Sequence, residues 1–187
     1  VYGGYTGLLD GDIKELSTRS VSDLIQRGGT FLGTGRSKRF HTEEGRKAAM
    51  EKLKEHGIEG LVVIGGDGSL TGAAHLSRHG MPIVGLPATI ENDVWGTDYT
   101  IGADTAANTV LEAINKLRDT ASAHRRIILI EVMGKKSGWL AMMAGVAGGA
   151  EYVLVPEVKY DLDEICTEIM DAYEAGKKYS IIVVAQG

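Results

Sequence analysis

Five short apolar runs punctuate the chain, and helical patterns separate them. GLVVIGG (60–66), MPIVGLP (81–87), RIILIEVMG (126–134), EYVLVPE (151–157) and YSIIVVAQ (179–186) have the length and composition of strands. Before the first lies TEEGRKAAMEKLKEHG (42–57), a helix with Thr42 as N-cap and Gly57 at its C-terminal end. GSLTGAAHLSRHG (68–80), DTAANTVLEAINKLRDTASAH (104–124), GWLAMMAGVAGG (138–149) and LDEICTEIMDAYEAGKK (162–178) read as the intervening helices. In the longest, Val110, Leu111, Ile114 and Leu117 recur at helical spacing. Strands alternating with helices require parallel crossovers. The expected fold class is therefore α/β, a doubly wound, mostly parallel sheet with helices on both faces. The runs VVI, IILI and IIVV are continuously apolar, which predicts strands buried on both faces. Ligands in such folds bind beyond the carboxyl ends of the strands. Three of the four motifs described below fall at a strand end or flank a strand, which predicts a composite site.

Composition narrows the function. With 187 residues the chain is long enough for one good core or one lobe of a larger protein. A net charge of −5 argues against nonspecific nucleic-acid binding, though a local basic patch can still receive an anionic small molecule. Cys166 is the single cysteine, so no internal disulfide forms, which fits a reducing, cytoplasmic setting. No apolar run reaches the ~18 residues of a membrane span. The chain starts at Val1 in a glycine- and tyrosine-rich stretch and stops as a strand finishes. It is expected to be a piece of a longer protein, with an engineered truncation as the alternative.

Four motifs carry chemistry. In IGGDGSLTG (64–72), glycines after a strand allow a tight turn and close approach of a ligand. Helix amides then point at whatever sits there, a natural place for phosphate. Asp67 adds a carboxylate able to hold Mg²⁺ beside those phosphates. Glycines used only for turn geometry would leave the aspartate between them unexplained. In PATIENDVWGTDYTIGADTA (87–106), Glu91 and Asp93 are two residues apart and would share a face in extended backbone. Transfer of a phosphoryl group to a hydroxyl needs such a carboxylate to receive the proton. The competing reading is a solvated turn formed by Asn92 and Asp93. In RGGTFLGTGR (27–36), Arg36 is either a phosphate clamp or a surface residue after a turn. Arg125, Arg126, Lys135 and Lys136 flank a strand. Lys135 and Lys136 either meet a sugar phosphate or simply face solvent. His41, His56, His75 and His79 show no ligand spacing. Met142 and Met143 read as packing residues, while Trp95 and Trp139 fit packing or an interface.

Together these motifs resemble 6-phosphofructokinase. GGYTGL, SVSDLIQRGGTFLGTGR, GGDGS, PATIEND, GTDYTIGADTA, RDTASAHRR, EVMG and GGAEYVLVPE occur in that order, and the resemblance covers essentially the whole chain. NAD and lipid kinases share only the GGDG loop. The resemblance implies Mg²⁺-dependent transfer of the ATP γ-phosphate to the 1-hydroxyl of fructose 6-phosphate in the cytoplasm, by an enzyme that is usually a tetramer. It divides the chain into most of a nucleotide lobe (1–102) and the first part of a sugar-phosphate lobe (103–187). Tyr5, Arg36, Ser37, Gly66, Asp67, Gly68, Ser69 and Gly72 would lie on the ATP side, with Asp67 organising the metal. Thr89 would contact substrate or phosphoryl, Glu91 would be the base, and Asp93 a second acid near it. Met133, Gly134, Lys135 and Gln186 would line the sugar phosphate, and Arg126 would reach it in a neighbouring subunit. Arg19, Arg118, Gly149, Glu151 and Lys177 match an effector site between subunits. The family's first strand and its glycine-rich loop would precede Val1, and the rest of the substrate lobe would follow Gly187. On this reading the chain alone would be inactive.

The chain also departs from the family pattern. Glu91 stands for an aspartate, Lys135 for an arginine and Gln186 for a glutamate, while Ala88 stands for a glycine. An extra methylene moves the Glu91 carboxylate by about 1 Å, and a shift of that size can cost on the order of 100-fold in rate. A non-catalytic or regulatory paralogue is therefore the first alternative. A pyrophosphate-dependent enzyme is the second, but those relatives carry aspartate at Gly68 and lysine at Ala88.

Overall fold

The computed structural model describes residues 1–187. It forms two compact units, Val1–Leu86 and Pro87–Gly187. The sequence placed a lobe boundary at 102/103, whereas the segment 87–102 groups with the second unit. Its backbone closes on itself there, with a bridge between Ala88 and Ile101.

The first unit contains α1 (Gly4–Asp10), α2 (Glu43–Glu55), β1 (Leu61–Gly65), α3 (Asp67–Arg78) and β2 (Ile83–Pro87), plus 3-10 turns at Thr18–Val21 and Arg39–His41. Thr42 caps α2 as expected, its side chain accepting the Gly45 N–H at 3.0 Å. Leu8, Phe40, Ala49, Met50, Leu53, Leu76 and Met81 form the core of this unit. The strands β1 and β2 are hydrogen-bonded neighbours that begin side by side, with the Leu61 N–H donating to the Pro82 carbonyl. That is the arrangement a helical crossover through α3 requires.

The second unit contains α4 (Ala103–His124), β3 (Ile127–Val132), α5 (Trp139–Ala147), β4 (Tyr152–Leu154), α6 (Leu162–Glu174) and β5 (Ser180–Ala185). Its sheet has the order β3-β5-β4, and both pairings are parallel. Ala103, Ala107, Val110, Ile114 and Ala121 form the inward stripe of α4, at the three-and-four spacing of one helical face. That stripe meets Leu140, Ala141 and Ala144 of α5 and Ile181 and Val183 of β5.

Two expectations need correction. Of the apolar strands, β5 is buried on both faces, but β1, β2 and β3 are not. Val62 and Ile64 are 63% and 61% exposed, and Ile127 and Leu129 are 52% and 61% exposed. Their inward neighbours pack on the core, and no element of this chain lies over the outward residues. Met142 and Met143 are not packing residues either. They lie on the open side of α5, whose small residues Ala141, Ala144 and Gly145 make the close contacts. No helix is long and apolar enough to cross a membrane.

Candidate active site

In the first unit the phosphate-binding candidates gather where β1 passes into α3. Gly66 precedes the helix, and Asp67 is its first residue. No side chain caps this end, so its first amides are left for solvent or a ligand. The helix dipole favours an anion at the same place. Asp67 and Gly68 are exposed, and a Cβ added at Gly68 would meet nothing within 4 Å.

Tyr5 of α1 fixes this turn from below. Its ring stacks on Phe40 at 4.0 Å and 11°, and its hydroxyl donates to the Ser69 carbonyl at 2.6 Å. The ring also occupies the space beside Gly72, where a Cβ would come within 2.6 Å of it. Burial pushes the Tyr5 phenol up to about 12. Tyr5 therefore reaches the loop through backbone contacts, a role the motif alone did not reveal. The glycine-rich loop carrying Arg36 packs against the turn before α1. The Gly3 N–H donates to the Leu32 carbonyl at 2.8 Å, and a Cβ at Gly35 would come within 3.0 Å of the Gly3 carbonyl. Arg36 itself is exposed, and the Ser37 hydroxyl accepts the Phe40 N–H at 3.4 Å.

In the second unit the acceptor candidates converge on the carboxyl ends of β3 and β5. Gln186 donates its N–H to the Val132 carbonyl at 3.0 Å, and Gly187 lies against the Lys135 carbonyl. Met133, Gly134, Lys135 and Gln186 are thereby side by side. Gly134 has φ +145, and a Cβ there would strike the Ser137 carbonyl at 2.4 Å, so glycine is required. The Glu91 loop joins this cluster through Ser137, whose hydroxyl donates to the Glu91 carbonyl at 3.3 Å. The same hydroxyl accepts the Trp139 N–H at 3.3 Å at the start of α5. Glu91 is half-buried and Asp93 exposed. They do not share a face by extended alternation, because Asn92 between them has φ 49, in the left-handed region. The Asn92 side chain holds that geometry by bonding to Thr100 and to the Asp98 carbonyl.

Arg126 lies away from this cluster, immediately before β3. The six residues Ile127–Val132 separate it from the carboxyl end, roughly 20 Å of strand. Four of the residues expected at an effector site, Arg118, Gly149, Glu151 and Lys177, gather near the starts of β4 and β5. Arg118 donates to the Gly148 carbonyl and, at 3.1 Å, to the Gly149 carbonyl. Lys177 pairs with Glu151 at 2.9 Å, and the other Glu151 oxygen accepts the Ile181 N–H at 2.6 Å. Burial would raise the Glu151 carboxyl, but these partners outweigh it and hold the group below the usual range. Arg19 is exposed in the Thr18–Val21 turn of the first unit.

No cluster of three or more potential protein ligands forms a metal cage. The exposed Asp67 at an uncapped helix start nonetheless fits Mg²⁺, which is commonly held by one or two carboxylates together with substrate phosphates. Sequence reasoning missed Phe40, Thr100 and Ser137. Thr100 lay inside a quoted motif, and only its 4% exposure marks it as a structural polar residue.

The phosphofructokinase family profile matches residues 1–187. ATP-dependent 6-phosphofructokinases from Bacillus subtilis and Halalkalibacterium halodurans are 56% and 55% identical over the whole chain. The chain spans 59% of the length of each. Among solved structures, Saccharomyces cerevisiae phosphofructokinase superposes with a TM-score of 0.85 at 39% identity, over 100% of this chain and 29% of that one. A pyrophosphate-dependent phosphofructokinase from Marinobacter aquaeolei superposes with a TM-score of 0.76 at 26% identity, over 99% of this chain and 50% of that one.

Proposed function

Because the chain belongs to the phosphofructokinase family, we propose that its residues serve ATP-dependent phosphorylation of fructose 6-phosphate at the 1-hydroxyl, in the cytoplasm. The observation that carries this reading is the convergence of the Glu91 loop with Lys135 and Gln186 at the carboxyl ends of one parallel sheet. The Glu91 carboxylate takes the hydroxyl proton as the substrate oxygen bonds to the γ-phosphorus. The bond from that phosphorus to the β–γ bridging oxygen breaks, and ADP leaves with the electron pair. The Thr89 hydroxyl oxygen accepts the Glu91 N–H at 3.2 Å. Its proton remains available to a phosphoryl oxygen. Lys135 and Gln186 hold the sugar phosphate. The α3 amides, Asp67 and Arg36 bind the nucleotide phosphates, and Tyr5 supports that turn. Mg²⁺, when bound, neutralises phosphate charge. The open space at Gly68 and the 55–56% identity to enzymes named ATP-dependent favour ATP over pyrophosphate. The position of Arg126, away from the substrate cluster, supports its reaching a neighbouring subunit of a homotetramer.

Glu91, Lys135 and Gln186 depart from the family pattern and support a second reading, a regulatory paralogue. A coupled assay of the full-length protein carrying these residues separates the two. The catalytic reading expects fructose 1,6-bisphosphate to form with ATP and not with pyrophosphate. An inactive wild type with an active Glu91→Asp variant would establish the regulatory reading instead.

A further inference from the structure

We propose that Asn92 and Thr100 are positioning residues that clamp the acid loop and so aim the Glu91 carboxylate. The inference rests on the phosphoryl-transfer reading above. Thr100 is 4% exposed, yet all its polar atoms on the loop side are used. Its N–H donates to Asn92 Oδ1 at 2.8 Å, and its hydroxyl donates to the Thr89 carbonyl at 2.7 Å, with Asn92 Oδ1 at 3.2 Å. Asn92 Nδ2 donates to the Asp98 carbonyl at 3.1 Å. Asn92 takes φ 49, a conformation that asparagine and glycine adopt far more readily than other residues.

These bonds surround Glu91 on the chain. Its N–H is held by Thr89, its carbonyl by Ser137, and Thr89 and Asn92, two residues before it and one after, are both tied to Thr100. The outer part of the loop offers no comparable hold, since Trp95 is 97% exposed. The Glu91 carboxylate has no hydrogen-bond or ion-pair partner within the chain, so the chain constrains it only through the backbone from which the side chain starts. A glutamate also has one more rotor than an aspartate, which makes a fixed backbone matter more. Productive geometry must hold to within about 0.5 Å.

The test uses the full-length protein and reads two quantities. Thr100→Val keeps the shape and the N–H but removes the hydroxyl. It should lower kcat by about 10- to 100-fold, as misplacement near 1 Å does, with the KM for ATP unchanged. Thr100→Ser, which keeps the hydroxyl, should restore most of kcat. Asn92→Gly tolerates the backbone angle but lacks the clamp, and should lower kcat in the same way. Hydrogen exchange followed by mass spectrometry on the peptide spanning 88–101 should quicken in Thr100→Val and Asn92→Gly but not in Thr100→Ser. A Thr100→Val protein with kcat within twofold of wild type, or with unchanged exchange, overturns the clamp. A wild type that exchanges slowly at 88–101 but phosphorylates nothing overturns the functional reading alone, and accelerated exchange in Thr100→Val then still supports the clamp.

Discussion

Replacing Gly72 by alanine should destabilise the first unit, and the size of the effect follows from one ring. The added Cβ would lie 2.6, 2.8 and 2.9 Å from three Tyr5 ring atoms. Carbon atoms sit comfortably at roughly 3.5–4.0 Å, so the overlap is about 1 Å. The ring has little room to retreat, with Phe40 stacked at 4.0 Å and the hydroxyl bonded to Ser69 at 2.6 Å. Overpacking of this kind costs about 1–3 kcal/mol. Alanine returns about 1 kcal/mol in helix propensity, leaving a net loss of up to about 2 kcal/mol. For a chain of this size that lowers Tm by up to roughly 8 °C, at about 2–4 °C per kcal/mol. Gly68→Ala is the matched control. It introduces the same methyl into open space four residues earlier in the same helix, and should leave Tm unchanged or raise it. Thermal unfolding of the purified chain by circular dichroism compares the two. Tyr5→Leu in the Gly72→Ala background should cost much less than Tyr5→Leu alone, because there removing the ring also relieves the clash. A Gly72→Ala protein as stable as Gly68→Ala, or strictly additive effects of Gly72→Ala and Tyr5→Leu, would refute the packing argument.

Two pH effects follow from the same structure. The Tyr5 phenol is raised from 10.0 to about 12 because burial disfavours the phenolate. The stability this confers is complete below the ordinary value and is lost as pH rises toward 12. In an alkaline absorbance titration, Tyr5→Phe should abolish one late-ionising tyrosine, and an unchanged curve would contradict the buried environment. Glu151 is depressed below its ordinary 4.5: burial opposes ionisation, but the Ile181 N–H and Lys177 outweigh it. Its contribution is present above the ordinary carboxylate range and is lost as pH falls through and below 4.5. Glu151→Gln should therefore lower stability at neutral pH and flatten its decline in acid, which urea unfolding at several pH values measures.

The crossover pattern was legible because its signals are local and periodic. The Thr42 cap is found as read, and of the α4 stripe Val110 and Ile114 face the core as read, while alanines at 103, 107 and 121 rather than Leu111 and Leu117 complete it. The helix α1 was not legible, since GYTGLLD is seven residues long and contains two glycines. It exists because Leu8 reaches the core and Tyr5 packs on Phe40. Continuous apolar runs suggested strands covered on both faces, but composition reports only that a face is apolar. Whether anything in the same chain covers it is a tertiary fact, and over Val62, Ile64, Ile127 and Leu129 nothing does. In the acid loop the carboxylates were visible, whereas the backbone angle that separates them was not. That angle depends on a bond between Asn92 and Thr100, eight residues apart, and no propensity encodes such a pair.

The most direct test of the account is the initial rate of fructose 1,6-bisphosphate formation by the full-length protein with ATP, Mg²⁺ and fructose 6-phosphate, measured for wild type and Glu91→Gln. Glutamine keeps the length and loop contacts of the residue but cannot accept the hydroxyl proton. The account predicts an active wild type and a loss of kcat on the order of 100-fold or more in the variant, in line with removal of a general base. Full activity in Glu91→Gln would contradict the assignment of Glu91 as the acid that does the work.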